Sequence, residues 1–195
     1  MPAVLLPVPT VHHSSNICMA HIELNNPYPG ISGLLAYRPQ TAEPLNFLAE
    51  TILRGNSTLT TAERELIAGY VSHLNQCRFC TGCHIGAAQC LWQDDGTLMA
   101  EVKRNPEEAA ITEKMKALLA IAAAVQKSGR EVTPAHIDRA KAAGATDLEL
   151  HDAVLVAAAF CMFNRYVDGL GTWAPDDEQS YVMAGKRLAE QGYMK

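Results

Sequence analysis

Residues 60–84 read TTAERELIAGYVSHLNQCRFCTGCH, and this stretch predicts two consecutive helices. Thr60 followed by Glu63 has the spacing of a capping box, in which two side chains satisfy free backbone N–H groups at the start of a helix. An apolar stripe at helical spacing comes next, formed by Leu66, Ile67, Tyr70, Val71 and Leu74. Asn75-Gln76 interrupts this pattern, and the second helix is predicted from about Cys77 to Trp92.

Helical patterns also fill most of the remaining chain. Alanine, the best helix former, is the commonest residue with 29 copies, and no alternating strand pattern of useful length is present. Further helices are predicted over residues 41–53, 112–127, 133–144, 146–167 and 177–191. The helix over 146–167 is apolar nearly all round, so we expect it to be the buried central one. The fold class predicted is therefore all-α, a helical bundle.

The first forty residues have a different character. They are rich in proline, and Asn26-Pro27-Tyr28-Pro29-Gly30 and Arg38-Pro39 are turn or loop signals. We predict that residues 1–40 form an extended N-terminal arm, which packs on the body or on a partner subunit. Residues 41–195 would then form the all-helical domain.

Composition and charge exclude several classes of protein. A chain of 195 residues suits one domain of ordinary size. The net charge of −5 argues against nucleic-acid binding, because phosphate backbones require clustered Lys and Arg. The longest apolar run has 11 residues, whereas a membrane-spanning helix needs about 20. The first 20 residues contain no Lys or Arg, so we expect no secretory signal, no membrane partner and a cytoplasmic location.

Four of the six cysteines lie within 14 residues, which favours redox chemistry or metal binding over a disulfide framework. On a helix, Cys77, Cys80 and His84 share one face because they are spaced by three and then four residues. The imidazole can take a proton from a thiol one turn away, and the second thiol can resolve an oxidised first thiol into a disulfide. The partial positive charge at the helix start is expected to favour a thiolate at Cys77 and, more weakly, at Cys80.

Glu65 is a candidate partner for the imidazole. It lies on the preceding helix, with Gly69 one turn later, and a glycine there suggests that another group approaches closely. If the two helices form a hairpin, Glu65 can reach His84 directly or through water, and the carboxylate would orient the imidazole. The alternative is a solvated glutamate in the charged first turn of the helix.

Other interpretations of the cysteines remain open. Cys80-Thr81-Gly82-Cys83-His84 has the form of a haem c attachment site, which would require export. Cys77, Cys80 and Cys83, with His84 or Cys90, could hold zinc or an iron–sulfur cluster, although one regular helix cannot wrap a tetrahedral ion with four ligands. We therefore predict no metal and no cofactor. The cysteine pair could also switch subunit packing in a redox-sensing oligomer that has no catalytic turnover.

The spacing of Glu65, eleven residues, and then Cys77-x-x-Cys80-x-x-x-His84 resembles the carboxymuconolactone decarboxylase-like superfamily, in particular its alkylhydroperoxidase D (AhpD)-like, peroxidase-related proteins. Residues 59–68 and 163–171 also resemble this family, and the likeness covers roughly residues 30–190. One position departs from the family pattern. Phe79 stands where the best-studied AhpD proteins have a histidine just before the second cysteine.

The resemblance implies an all-helical homo-oligomer that reduces organic hydroperoxides or hydrogen peroxide. It implies Cys80 as the peroxidatic thiol, Cys77 as the resolving thiol, and Glu65 and His84 as the proton relay. An external dithiol would then reduce the resulting disulfide. Lactone decarboxylation is not favoured, because the decarboxylase branches lack the paired cysteines. Phe79 removes one relay member, so a slower peroxidase, or one with a different reductant and substrate, is an open alternative.

Overall fold

The computed structural model describes residues 20–194, which contain nine α-helices and no strand. The all-α prediction is confirmed. In chain order the helices are α1 (Gly30–Tyr37), α2 (Pro39–Arg54), α3 (Thr61–Leu74), α4 (Arg78–Trp92), α5 (Thr97–Arg104), α6 (Glu113–Lys127), α7 (Pro134–Ala142), α8 (Asp147–Gly169) and α9 (Glu178–Gln191). A short 3₁₀ turn over Gly129–Glu131 connects α6 to α7.

The two predicted helices α3 and α4 are present and pack against each other as a hairpin. The Thr60 side chain accepts from the Glu63 backbone N–H, and the Glu63 carboxylate accepts from the Thr60 N–H at 2.8 Å. Gln76 adopts a positive φ of 60° in the connection, and the Cys77 N–H donates to the Ser72 carbonyl at 3.0 Å. The chain therefore reverses within three residues, and α4 begins directly after Cys77.

The long helix α8 is the centre of the bundle. The predicted capping box of Thr146 and Glu149 is present at its start. Its inner face packs against α3 and α6, and Val156, Ala157 and Phe160 are almost completely buried there. Helix α8 also contacts α1 and α2, so it joins the α3–α4 hairpin to helices that come before and after it in the chain.

Helix α9 lies unusually close to α4. A side chain added at Gly185 would collide with the backbone of Gly86, and one added at Gly82 would collide with the Tyr181 ring. These glycines permit backbone contact between the two helices, which a Cβ atom would prevent. The close packing brings the C-terminal end of the chain next to the residues of α3 and α4.

Two helices differ from the sequence predictions. The predicted extended arm over residues 1–40 is wrong at its C-terminal end, because residues 30–37 form α1 and α2 begins at Pro39. Leu34 of α1 is completely buried, so tertiary packing supports a helix that the turn signals concealed. Helix α5, which has only eight residues, was not predicted at all. Residues 1–19, including Cys18, lie outside the described residues.

A chain of buried side-chain hydrogen bonds supports the turn before α4. Asn164 of α8 donates to the Ser72 hydroxyl at 3.0 Å and accepts from the Asn75 amide at 2.8 Å. Gln126 of α6 donates to Asn75 at 2.9 Å. Three helices are thus tied to the segment that positions Cys77.

We predict that Asn164→Ala lowers the free energy of unfolding by about 1–3 kcal/mol, because Ser72 and Asn75 each lose a buried partner. Urea unfolding followed by circular dichroism measures the loss. The neighbouring Arg165→Ala is the control, since this exposed side chain bonds only the Cys161 carbonyl and should matter little. Equal losses in the two variants would contradict the role assigned to Asn164.

Candidate active site

A cavity of about 920 Å³ lies beside the first two turns of α4. Its wall is mostly apolar and is formed by α1, α2, α4, α8, α9 and the segments on either side of α9. The apolar and aromatic lining includes Ile31, Leu45, Phe79, Phe160, Phe163, Trp173 and Tyr193. The reactive side chains that line it are Cys80, Cys83 and His84. Cys77 and Glu65 lie behind this wall.

Glu65 and His84 form a direct hydrogen bond. Glu65 Oε2 lies 2.8 Å from His84 Nδ1, and the Glu65 side chain is 0 % exposed. The alternative of a solvated surface glutamate is therefore wrong. Gly69 has the role its position suggested, because the side chain and the backbone nitrogen of Ile85 in α4 occupy the space that a side chain would fill. The close approach of the two helices brings the carboxylate within reach of the imidazole.

Tyr193, near the end of the chain, completes this group and was not predicted from the sequence. Its hydroxyl lies 2.6 Å from Glu65 Oε1 and 3.3 Å from His84 Nδ1. Its ring stacks on the imidazole with an interplanar angle of 10°, while Phe160 contacts the imidazole edge-on from the other side. A tyrosine two residues before the last one belongs to no helical pattern or motif that would have identified it.

The two thiols of the CxxC pair are adjacent but differ in access. Cys77 is completely buried in a small cluster with Cys80 and Val167, whereas Cys80 also reaches the cavity. All five cysteines among residues 20–194 are free thiols. A hydrogen bond with Cys80, together with burial, raises the pKa of Cys77. The expectation that the helix start favours a thiolate at Cys77 is therefore wrong, because these two effects outweigh the partial charge of the helix.

Cys83 and Phe79 occupy the same wall of the cavity. Burial raises the pKa of Cys83 to about 12, so this thiol stays protonated at neutral pH. Phe79 packs edge-on against Tyr181 and fills the space beside Gly30, where the positive φ of 53° begins α1. Phe79 thus contributes packing to the wall and no titratable group.

The metal-site interpretation has no counterpart in this part of the chain. No group of three or more His, Cys, Asp or Glu side chains among residues 20–194 is arranged to hold a metal ion. Cys90, one of the ligands considered, is exposed on the far end of α4.

The thiols should differ strongly in their rate of alkylation. At mildly alkaline pH, iodoacetamide should label exposed Cys90 first, while Cys83 should react slowly because only a small fraction of it is thiolate. Raising the pH toward the pKa of Cys83 should accelerate its labelling. Peptide mapping by mass spectrometry measures each site, and Cys90→Ser identifies the fast phase. Rapid labelling of Cys83 at neutral pH would contradict the burial assigned to it.

The comparisons with known proteins agree with this architecture. A crystal structure described as an alkylhydroperoxidase AhpD core, an uncharacterized peroxidase-related protein from Ralstonia eutropha JMP134, superimposes with a TM-score of 0.70 and 26% identity over 81% of each chain. An uncharacterized peroxidase-related protein from Silicibacter sp. TM1040 matches with a TM-score of 0.70 and 24% identity, covering 79% of this chain and 78% of that one.

A third structure, a protein of unknown function from Agrobacterium tumefaciens named as a candidate antioxidant defence protein AhpD, has a TM-score of 0.64 and 20% identity. It covers 74% of this chain and 97% of its own. No curated protein matches the sequence significantly. The profile of the carboxymuconolactone decarboxylase family matches residues 39–89 and 94–174. This chain therefore belongs to the carboxymuconolactone decarboxylase family.

Proposed function

We propose that this protein is a thiol-dependent peroxidase that reduces organic hydroperoxides with Cys80 and Cys77. The observation that carries the proposal is the arrangement of Cys80 and His84 on one cavity, with Glu65 hydrogen-bonded behind the imidazole. The relative whose structure is described as an AhpD core and a peroxidase-related protein supports the same class of activity.

The two thiols have different proposed roles because they differ in access and in proton affinity. Cys80 faces the cavity, so its sulfur attacks the terminal oxygen of the hydroperoxide. The O–O bond breaks, Cys80 becomes a sulfenic acid and the alkoxide leaves as an alcohol after taking up a proton. Cys77, whose raised pKa keeps it protonated, donates an S–H hydrogen bond to Cys80 until that step. Its sulfur then displaces water from the sulfenic acid and forms the Cys77–Cys80 disulfide.

The proposed proton relay consists of Glu65 and His84. When Glu65 accepts the Nδ1–H of His84, the free lone pair of the imidazole is at Nε2. No protein group among residues 20–194 bonds that nitrogen. His84 lies one helical turn after Cys80 and lines the same cavity, so Nε2 can take the thiol proton and return a proton to the departing alkoxide.

The volume and lining of the cavity favour an organic hydroperoxide over hydrogen peroxide. Small-molecule sites commonly have volumes of about 300–1,000 Å³ with mostly apolar walls. This cavity, at about 920 Å³, lies within that range. A water molecule accounts for about 30 Å³ of liquid, so a molecule with two oxygens would leave most of the apolar wall in contact with solvent. A substrate with an apolar body would cover it.

For a second turnover the Cys77–Cys80 disulfide must be reduced, and an external dithiol in a reducing cytoplasm would supply the two electrons. A redox-sensing oligomer without turnover would use the same thiol pair but would need only one oxidation.

None of the helices between residues 20 and 194 is long and apolar enough to span a membrane.

We predict that one equivalent of cumene hydroperoxide removes two free thiols from the wild-type protein. Cys80→Ser should lose none, and Cys77→Ser should form a sulfenic acid at Cys80, because the first step needs only the cavity-facing thiol. Thiol titration and trapping of the sulfenic acid measure these outcomes. If the wild type keeps all of its thiols, the peroxidase proposal is wrong.

Repeated consumption of peroxide distinguishes a catalytic peroxidase from a redox sensor that is oxidised only once. With excess dithiothreitol, the wild type should consume many equivalents of cumene hydroperoxide and should favour it over hydrogen peroxide in kcat/KM. The matched control is Cys90→Ser, which removes an exposed thiol outside the cavity and should leave the rate unchanged. A single stoichiometric oxidation without turnover would favour the redox-sensing alternative.

The exposed face of α8 supports the homo-oligomer that we propose. Leu148, Leu155 and Met162 are 49 %, 39 % and 43 % exposed and follow one another at seven-residue intervals. Two further exposed residues, His151 and Ala158, lie between these positions, and a third, Arg165, follows the last one. The six residues together have the a/d spacing of a coiled coil. An antiparallel pair of α8 helices centred on Leu155 would pack Leu148 against Met162 and bring Arg165 near Asp147 of the second copy. The face is therefore complementary to itself.

Leu155→Glu should convert the oligomer to a smaller species, because two copies of the new carboxylate would meet at the centre of the paired helices. Light scattering after size-exclusion chromatography measures the mass. Val182→Glu, a change at a residue of similar exposure on α9, should leave the mass unchanged. A wild-type monomer, or an unchanged mass for Leu155→Glu, would contradict self-association through α8.

A further inference from the structure

The C-terminal segment of the chain delivers a hydroxyl group to the buried carboxylate. After α9 ends, Gly192 adopts a positive φ of 70° and Tyr193 turns inward. The Tyr193 N–H donates to Glu50 Oε2 at 2.7 Å, and Arg54 donates to the Ala189 carbonyl at 3.1 Å. A side chain at position 192 would collide with the Glu50 carboxylate. Two side chains of α2 and one glycine therefore fix the position of Tyr193.

We propose that Tyr193 is a positioning residue of the proton relay, which bonds the second oxygen of the Glu65 carboxylate and thereby fixes His84 with its proton on Nδ1. This inference rests on the proposed peroxidase function for its biological meaning, but the hydrogen-bond arrangement can be tested by itself.

The hydroxyl group acts as the donor in this arrangement. Burial and then the charge of Glu65 raise the pKa of Tyr193 well above its ordinary value, so the phenol keeps its proton. With Tyr193 on Oε1 and His84 on Oε2, each carboxylate oxygen has one donor. A fully buried carboxylate with a single donor would take up a proton more readily, because burial disfavours its charged form.

The relay has few other charged neighbours. Arg54 of α2 lies close enough for its charge to favour ionisation of Tyr193, and Arg64 interacts electrostatically with Glu65 from the same helix. From α4, the neighbouring titratable groups are the thiols of Cys80 and Cys83, which line the cavity with His84. From α2, the Glu50 carboxylate accepts from the Tyr193 N–H at 2.7 Å. From α9, Arg187 lines the same cavity and its charge acts on Cys83.

The consequence for the reaction follows from the tautomer. When Glu65 is ionised and holds the Nδ1 proton, Nε2 is a base toward the cavity. If the Tyr193 hydroxyl is removed, the Glu65–His84 pair should bind an additional proton at a higher pH than in the wild type. The form with a free Nε2 lone pair would then be reached only at higher pH, and less of it would exist at neutral pH.

Tyr193→Phe tests the proposal while keeping the ring that stacks on His84. The rate constant for oxidation of Cys80 by cumene hydroperoxide should fall about tenfold or more at neutral pH, in line with the loss of a hydrogen bond to a charged group. The acidic limb of the pH–rate profile should move to higher pH. Tyr70→Phe is the matched control, since Tyr70 is a buried tyrosine on α3 away from the relay and should change neither quantity.

A second readout does not depend on peroxide chemistry. The pH dependence of Cys80 alkylation, measured by peptide mapping, should show the same upward shift of its acidic limb in Tyr193→Phe. If the shift occurs and the wild type consumes no peroxide, the positioning role stands and the peroxidase function fails. If both profiles of Tyr193→Phe match the wild type, the positioning role is wrong, because packing alone is retained in this variant.

The wild-type protein provides a test even if Tyr193→Phe does not fold. Proton NMR should detect a downfield, slowly exchanging tyrosine hydroxyl proton, as expected for a buried hydrogen bond of 2.6 Å. Nitrogen-15 shifts of the His84 ring should identify the tautomer with the proton on Nδ1. A rapidly exchanging hydroxyl, or a His84 proton on Nε2, would overturn the proposal.

Discussion

The candidate site depends on one buried carboxylate. Glu65 is completely removed from solvent, and an ionised side chain in such a place is costly unless hydrogen bonds replace the lost water. His84 and Tyr193 supply those bonds from two different directions. The close contact of α3 with α4 at Gly69, and of α4 with α9 at Gly86 and Gly185, brings the donors to the same carboxylate. The same helix contacts that close the packing therefore also place both hydrogen-bond donors on Glu65.

The two thiols of the CxxC pair differ in their access to the cavity. Cys77 directly precedes α4 and is enclosed, whereas Cys80 lies in the first turn of α4 and reaches the cavity. The neighbouring sulfur and burial raise the pKa of the first thiol. Asn164 and Ser72 support the turn that holds Cys77 in this position. Two cysteines only three residues apart in sequence therefore have different surroundings, and this is why different roles are proposed for them.

Several features of the fold could be predicted from the sequence because they depend on near neighbours. The capping boxes at Thr60 and Thr146 involve residues three apart, and the helices that follow have clear periodicity. Helix α1 was concealed by proline turn signals, since its stability comes from burial of Leu34 against other helices. Helix α5 has only eight residues, so its few apolar positions, Leu98, Met99 and Val102, are too short a pattern to mark a helix. In the site, Cys80 and His84 share a cavity because they are one helical turn apart.

The sequence by itself determined the helical class, the main helix boundaries and the spacing of the two thiols and the imidazole, because each follows from contacts within about four residues of the chain. Only the tertiary structure decided that Glu65 is buried, that the pKa of Cys77 is raised and that the Tyr193 hydroxyl bonds Glu65. These properties depend on desolvation and on hydrogen bonds between residues more than a hundred positions apart, such as Glu65 and Tyr193. No local pattern carries that information, since it arises only when α9 packs on α4.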